Sequence, residues 1–131
     1  MFKEGWSKIV EEAIERIGKI LYVEAVIVFG SWSRSGGGEW SDVDILIISD
    51  EVKQISILDR FRMLVELKPA GTDIFVYAYD EVEAMLERLN PLIVSAIVEG
   101  VPIRLSERVE KLIDYARKRF KRLKRVWITD A

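Results

Sequence analysis

The sequence predicts an α/β domain of the α+β kind, with three core strands, a fourth short strand at the edge and helices on the flanks. Three observations carry that prediction. Val23 to Phe29, Asp42 to Ile48 and Thr72 to Tyr79 are short runs dominated by β-branched and aromatic residues, the composition of buried strands. The stretches around them place apolar residues at three- and four-residue steps, the period of an amphipathic helix. A length of 131 residues suits one domain, spanning 1–131, with a core over about 5–105 and a basic C-terminal helix over about 106–125.

In chain order, Trp6, Ile9, Val10, Ala13, Ile14, Ile17 and Leu21 mark a first helix over 5–20, with Glu11, Glu12 and Glu15 outside. The first strand halts at Gly30, and a loop from Ser31 to Ser41 carries Gly36, Gly37 and Gly38. The segment DVDILII, from Asp42, becomes apolar on both faces and reads as a central strand. Residues 54–67 put Ile57, Leu58, Phe61, Leu64 and Val65 on one helical face, with Asp59, Arg60, Arg62 and Glu66 mostly opposite, until Pro69 and Gly71 break the run. After the third strand, Asp80 and Glu83 resemble a capping box for a helix to about Leu89. Asn90 and Pro91 form an N-cap and first helical position for the next helix, which ends before Gly100. Val101 to Leu105 reads as an edge strand, since Pro102 disfavours a central one. Ser106 then caps the final helix, with Val109, Leu112, Ile113, Ala116, Phe120 and Leu123 as its apolar stripe.

Cysteine and histidine are both absent. That excludes disulfides, thiolate nucleophiles, Cys/His zinc sites and any mechanism that needs a histidine base, leaving carboxylates, hydroxyls and cations for chemistry. Asn90 and Gln54 are the sole side-chain amides against 42 charged residues, a bias shared with thermophile proteins. The N-terminus has no apolar stretch resembling a secretory signal and no uncharged run long enough to span a bilayer, which predicts a soluble chain in the cytoplasm. Charge is uneven: residues 104–125 hold ten Lys/Arg and three Asp/Glu, whereas the rest holds ten basic and nineteen acidic residues.

Asp42, Asp44 and Asp73 stand apart from the other acids because each opens an apolar strand. Side chains alternate along a strand, so Asp42 and Asp44 project from one face about 7 Å apart, near enough to reach one ion. Asp73 joins them if the second and third strands pair. Carboxylates this close raise one another's pKa unless a divalent cation neutralises them, and an all-oxygen donor set favours Mg²⁺ or Mn²⁺. The plainer alternative is that these acids cap strand ends or pair with Arg or Lys, which suits one Asp better than three. Ahead of them, Gly30 lets a phosphate approach the backbone, and Ser31 adds a hydroxyl donor.

Gly30-Ser31, Arg34, Ser41-Asp42-Val43-Asp44-Ile45-Leu46 and Thr72-Asp73-Ile74 together resemble the nucleotidyltransferase superfamily that includes DNA polymerase β. The small size, with Asn90-Pro91-Leu92 and Glu99-Gly100-Val101, resembles its minimal members from bacteria and archaea, over most of residues 8–105. The resemblance implies a mixed core sheet and a transferase that moves a nucleoside monophosphate, AMP from ATP, onto a hydroxyl. Asp42 and Asp44 would bind two Mg²⁺ ions with the nucleotide, Mn²⁺ substituting, and Asp73 would complete the triad as ligand or base. Gly30 and Ser31 would hold the β- and γ-phosphates and Arg34 would add a phosphate contact, although Ser35 stands where the family commonly has glycine. Minimal members are commonly paired with a small helical HEPN-type protein, and some act as antitoxins by adding AMP to a tyrosine of a HEPN ribonuclease toxin.

Two features lie outside that triad. Trp32 and Trp40 either stack on a base or form an apolar lid. The basic run over 117–125 reads as a solvated helix face or a docking surface for an acidic protein, ahead of nucleic-acid binding, because no aromatic platform accompanies it. Two functions are carried forward: the transferase, and a nucleotide-binding module that neutralises a partner by contact with little turnover.

Overall fold

The computed structural model of the protein describes residues 4–30, 43–123 and 126–129. Its elements are α1 (Glu4–Gly18), β1 (Ala25–Phe29), β2 (Val43–Ile48), a 3-10 helix (Asp50–Gln54), α2 (Ile57–Leu67), β3 (Thr72–Tyr77), α3 (Tyr79–Glu87), α4 (Pro91–Glu99), β4 (Val101–Arg104), α5 (Glu107–Arg119), β5 (Phe120–Leu123) and β6 (Val126–Thr129). The main sheet runs β3-β2-β1-β4. β1 pairs antiparallel with β2 and with β4, and β2 pairs parallel with β3, so the sheet is mixed. β4 takes the edge that Pro102 requires.

Alternation along the strands divides the core between the two faces. Val26, Val28, Val43, Ile45, Ile47, Ile74 and Val76 pack under α1 and α2, meeting Val10, Ala13, Ile17 and Leu64. Ala25, Ile27, Phe29, Leu46 and Ile48 face the other way, under α3, α4 and α5 and against Phe120 and Trp127 of the β5–β6 hairpin. Helix starts follow their caps. Ser56 Oγ accepts from Asp59 N–H (3.2 Å), Asn90 Oδ1 from Ile93 N–H (3.2 Å) and Ser106 Oγ from Val109 N–H (3.4 Å). Among the described residues no helix is long and apolar enough to cross a membrane.

The structure corrects three expectations. The helix expected over 106–125 ends at Arg119, and Phe120–Leu123 pairs with Val126–Thr129 as an antiparallel hairpin. Extending the helix would stack Arg117 and Lys118 against Lys121 and Arg122 at three- and four-residue spacings, where like charges repel, and Val126–Thr129 offers a β-branched and aromatic strand instead. The helix expected from Asp80 begins at Tyr79, and the carboxylate that reaches back is Glu81, accepting from Ala78 N–H at 2.8 Å, not Glu83.

The third correction concerns α2. Arg60, expected on the outer face, is 4 % exposed, while Ile57, Leu58, Phe61 and Val65 point outward. The cause is hydrogen bonding. The Arg60 guanidinium donates to the carbonyls of Ile55 (2.9 Å) and Val52 (2.7 Å) and forms a fork onto Glu81 at 2.8 and 2.9 Å. A charge satisfied this fully tolerates burial, and its anchoring sets the roll of the helix.

Candidate active site

One end of the sheet gathers the exit of β1 and the starts of β2 and β3. In the parallel register Asp44 lies beside Asp73, and in the antiparallel register Asp44 lies opposite Phe29. Residues in register on adjacent strands share a face, so the two carboxylates project side by side toward the α3–α5 layer. Both are half-buried. Phe29 and Phe75 lie on the same face, ring centroids 6.0 Å apart and tilted by 50°, an apolar backing for the two acids.

Backbone geometry shapes the rest. Gly30 has φ +86°, and a Cβ built on it would overlap the Asp44 carboxylate Oδ2. This is the position where the sequence needs glycine: the conformation disfavours a side chain, and the carboxylate occupies the space one would fill. Leading into β3, Gly71 has φ +84° and its carbonyl accepts from Val43 N–H at 2.9 Å, while Thr72 Oγ1 donates to the Pro69 carbonyl at 2.7 Å. That turn fixes the start of β3 against the start of β2, and with it the Asp44–Asp73 pairing.

Of the predicted site residues, Gly30, Asp44 and Asp73 converge at this end. Ser31, Arg34 and Asp42 lie outside the described residues, as do Trp32 and Trp40. Among the described residues no three of His, Cys, Asp and Glu come close enough to hold a metal ion. The residues that are described fit a hard divalent cation all the same: two carboxylates on one face, with all donors oxygen. Lys68 is a participant that the sequence did not single out. Its Nζ lies 3.4 Å from Asp73 Oδ1, both side chains being part-exposed. The signal was present in outline, a lysine at the end of α2, one residue before the Pro69–Gly71 turn that leads to Asp73.

The opposite end of the sheet holds a second group of acids. Glu24, 9 % exposed, accepts from Arg108 Nε and Nη2, each at 2.6 Å, and from Ser106 Oγ at 2.7 Å. Arg108 Nη2 also donates to Asp50 Oδ2 at 2.9 Å, and the guanidinium lies 4.1 Å over the Tyr79 ring. The Arg108 hydrogen bonds hold both carboxyls below their usual ranges, and the Arg108 pKa is raised in return.

No curated protein sequence matches the chain. Among solved structures, the fold is similar to that of a Sulfolobus solfataricus protein assigned as a nucleotidyltransferase, with a TM-score of 0.53 and 24 % identity over 72 % of this chain and 76 % of that one. It is also similar to a chain of a toxin–antitoxin complex with AMP-PNP, with a TM-score of 0.54 and 14 % identity over 85 % of this chain and 83 % of that one. A chain of an MntA–HpeT toxin–antitoxin variant gives 0.53 and 14 % over 86 % and 83 %. At these identities the likeness is one of fold. A sequence profile for the nucleotidyltransferase domain matches residues 7–128, nearly the whole length. With that match over a mixed sheet that brings Asp44 and Asp73 together beside Gly30, the chain belongs to the nucleotidyltransferase domain family.

Proposed function

We propose that this chain transfers AMP from ATP onto a hydroxyl, and that the acceptor is a tyrosine of a small helical HEPN-type protein that the chain serves as antitoxin. The observation that carries the transfer reading is the side-by-side register of Asp44 and Asp73, with Gly30 held open against the Asp44 carboxylate. Support for the acceptor comes from the minimal-family motifs and from two similar folds that belong to toxin–antitoxin complexes, one of them with AMP-PNP.

In this reading Asp42 and Asp44 are the metal ligands, and Asp73 serves as a further ligand or as the base toward the acceptor hydroxyl. Mg²⁺ bound there supplies positive charge against the triphosphate and the developing oxyanions. The chain's own residues position the reactants. Backbone at Gly30, which carries no side chain of its own, and the Ser31 hydroxyl hold the β- and γ-phosphates, with Arg34 as an additional contact. Asp73, on the edge strand β3, takes the proton from the attacking hydroxyl. The acceptor oxygen then bonds to the α-phosphorus, the bond from that phosphorus to the bridging oxygen breaks, and pyrophosphate leaves. Lys68 orients Asp73 for this step.

The test is co-expression with the neighbouring reading frame, followed by incubation with ATP labelled at the α-phosphate. Label should become covalently attached to the partner. Asp44→Asn should lower transfer by about a thousandfold, and Asp73→Asn should damage the chemical step more than ATP affinity. Partner neutralisation that persists undiminished without label transfer would replace this reading with the contact-only module. Collapse of ATP affinity in Asp73→Asn as complete as in Asp44→Asn would make Asp73 a ligand and not a base.

A further inference from the structure

α5 runs in the same sense as β1 and ends where the candidate site begins. Its first turn lies at the far end of the sheet, with Ser106 Oγ and the Arg108 guanidinium on Glu24. In its last turn Arg117 Nη2 donates to the Gly100 carbonyl at 2.9 Å, next to Val101, which pairs with Val28 near the β1 exit. The basic end of α5 therefore lies at the end of the sheet that holds Gly30, Asp44 and Asp73, in the helical layer those carboxylates face. From Tyr115 to Arg125 the sequence has seven Lys and Arg and no acid. At about 100° per residue Arg117, Lys118 and Arg119 fan across the exposed arc of the helix. Arg117 turns toward β4, Lys118 stands opposite the buried Val109 and Ala116, and the Arg119 guanidinium lies 5.6 Å from the centre of the Tyr115 ring on the α3 side. Lys121, on β5, adds a fourth exposed cation. Elsewhere Arg16, Lys53, Lys68, Arg108 and Lys111 each pair with a carboxylate, whereas among the described residues no ion pair includes Arg117, Lys118 or Arg119.

The helix dipole accounts for cations in the last turn of α5, but not for Lys121 beyond it, nor for a run of this density in a chain of net charge −2. We propose that this surface docks the protein that accepts the nucleotidyl group, and that this partner carries aspartates and glutamates beside its target hydroxyl. That the partner is the acceptor rests on the transfer reading above; that it is acidic rests on the uncompensated cations. What borders them favours a protein over a nucleic acid. Glu83 and Glu87 line the cavity beside Arg119, and Asp114 is exposed four residues before Lys118. A nucleic-acid backbone is charged along its whole length and would meet those acids on leaving the four cations. A protein surface can set carboxylates against the cations and other groups against the acids. The cavity is about 290 Å³ and is also lined by Leu86, Leu112, Tyr115 and Phe120, which gives a partner side chain an apolar anchor point. Carboxylates seated on Lys118 and Lys121 hold their own chain at the end of the sheet where Asp44 and Asp73 converge, and so raise the local concentration of a neighbouring hydroxyl.

Fluorescence anisotropy of labelled peptides titrated with the full chain, read without ATP, tests the surface. A tyrosine flanked by glutamates should bind about tenfold more tightly than one flanked by glutamines at low salt, and the difference should shrink as salt screens it. Lys118→Glu together with Arg119→Glu should erase that difference. The circular dichroism spectrum should hold and the melting temperature should fall by only a few degrees, the share those cations owe to the helix dipole. With ATP labelled at the α-phosphate, the glutamate-flanked peptide should be modified with a kcat/KM about tenfold higher, chiefly through KM, and the double variant should remove the preference. Equal affinity for the two peptides overturns the proposal, as does a preference that the double variant keeps. Mixed-sequence RNA that binds more tightly than the glutamate-flanked peptide, and is lost in the same variant, overturns it too. Equal labelling of both peptides would sink the docking role and leave nucleotidyl transfer standing. An intact binding preference with no label on either peptide would sink transfer, and with it the partner's role as acceptor, and leave the acidic preference of the surface standing.

Discussion

The two ends of the main sheet use the same kind of residue for opposite purposes. At the β1 start, Glu24 and Asp50 are closed off by Arg108, which donates to both, with Ser106 Oγ and Tyr79 N–H completing their shells. At the β1 exit, Asp44 and Asp73 stand in register on parallel strands, and the one cation the described residues place on Asp73 is Lys68, at 3.4 Å. A guanidinium that forks onto a carboxylate occupies the oxygens a metal would need. A single ammonium at the edge of a part-exposed acid does not. Side-chain chemistry alone therefore does not mark a site. What separates the ends is what the neighbouring chain carries: the start of α5 presents the Ser106 hydroxyl and the Arg108 guanidinium to Glu24, whereas Gly30 carries no side chain and leaves that space to the Asp44 carboxylate.

The largest effect should come from a side chain added at Gly30. Gly30→Ala puts a methyl group where the Asp44 carboxylate lies and holds a non-glycine residue at φ +86°. The carboxylate, being the end of a side chain, can turn aside, so the steric conflict is relieved at the expense of its position. Activity should fall by about a hundredfold or more, while stability drops by only about 1–2 kcal/mol from the backbone conformation. Label transfer and urea melts on the same preparation check both figures. Full activity in Gly30→Ala would show that neither the close approach nor the position of Asp44 matters.

At the other end the loss should be in stability instead. Arg108→Ala leaves Glu24 mostly buried with only Ser106 Oγ as a side-chain partner. The cost should be about 1–2 kcal/mol, below that of a fully buried pair because Arg108 itself is 45 % exposed, and nucleotidyl transfer should be untouched. The pH dependence sharpens this. Glu24 and Asp50 are held below their usual values, chiefly by the Arg108 hydrogen bonds, so their stabilising contribution is complete above the ordinary carboxylate range, 3.8 to 4.5, and is lost as pH falls through and below it. Parent stability should decline on acidification across that window, and in Arg108→Ala the decline should be shallower. Equal slopes for parent and variant would mean that Arg108 is not what depresses these groups.

How much of this was legible depended on how local the signal is. The three core strands were readable because their apolar runs are short, β-branched and bounded by glycine, proline or acids. Even the Asp44–Asp73 pairing could be anticipated, since each acid sits at the same depth in its strand. α2 was misread because periodicity reports which residues share a face and not which way that face turns. The roll was decided by Arg60 reaching Val52 and Glu81, contacts 8 and 21 residues away. The C-terminal hairpin was missed because Phe120 and Leu123 extend the three- and four-residue spacing of α5 across the point where the helix ends. Lys68 was overlooked because a lysine five residues before an aspartate has no helical or strand register with it. Only the turn through Pro69 and Gly71 folds the two together.

Lys68→Gln supplies the smallest expected effect and the finest test of the contrast. If Lys68 only positions Asp73, its removal should slow transfer by about three- to fivefold at saturating ATP, leave ATP affinity unchanged and shift stability by less than about 0.5 kcal/mol, because a part-exposed pair at 3.4 Å is worth little. Lys68→Arg should recover most of the lost rate, since a cation at that place can still hold the carboxylate. A loss as large as that of Asp73→Asn, with weakened ATP binding, would mean that Lys68 touches the nucleotide and not merely Asp73. The Gly30 end would then be a site that carries its own cation, and the distinction from the Arg108 end would rest on how far that cation can swing away when substrate arrives.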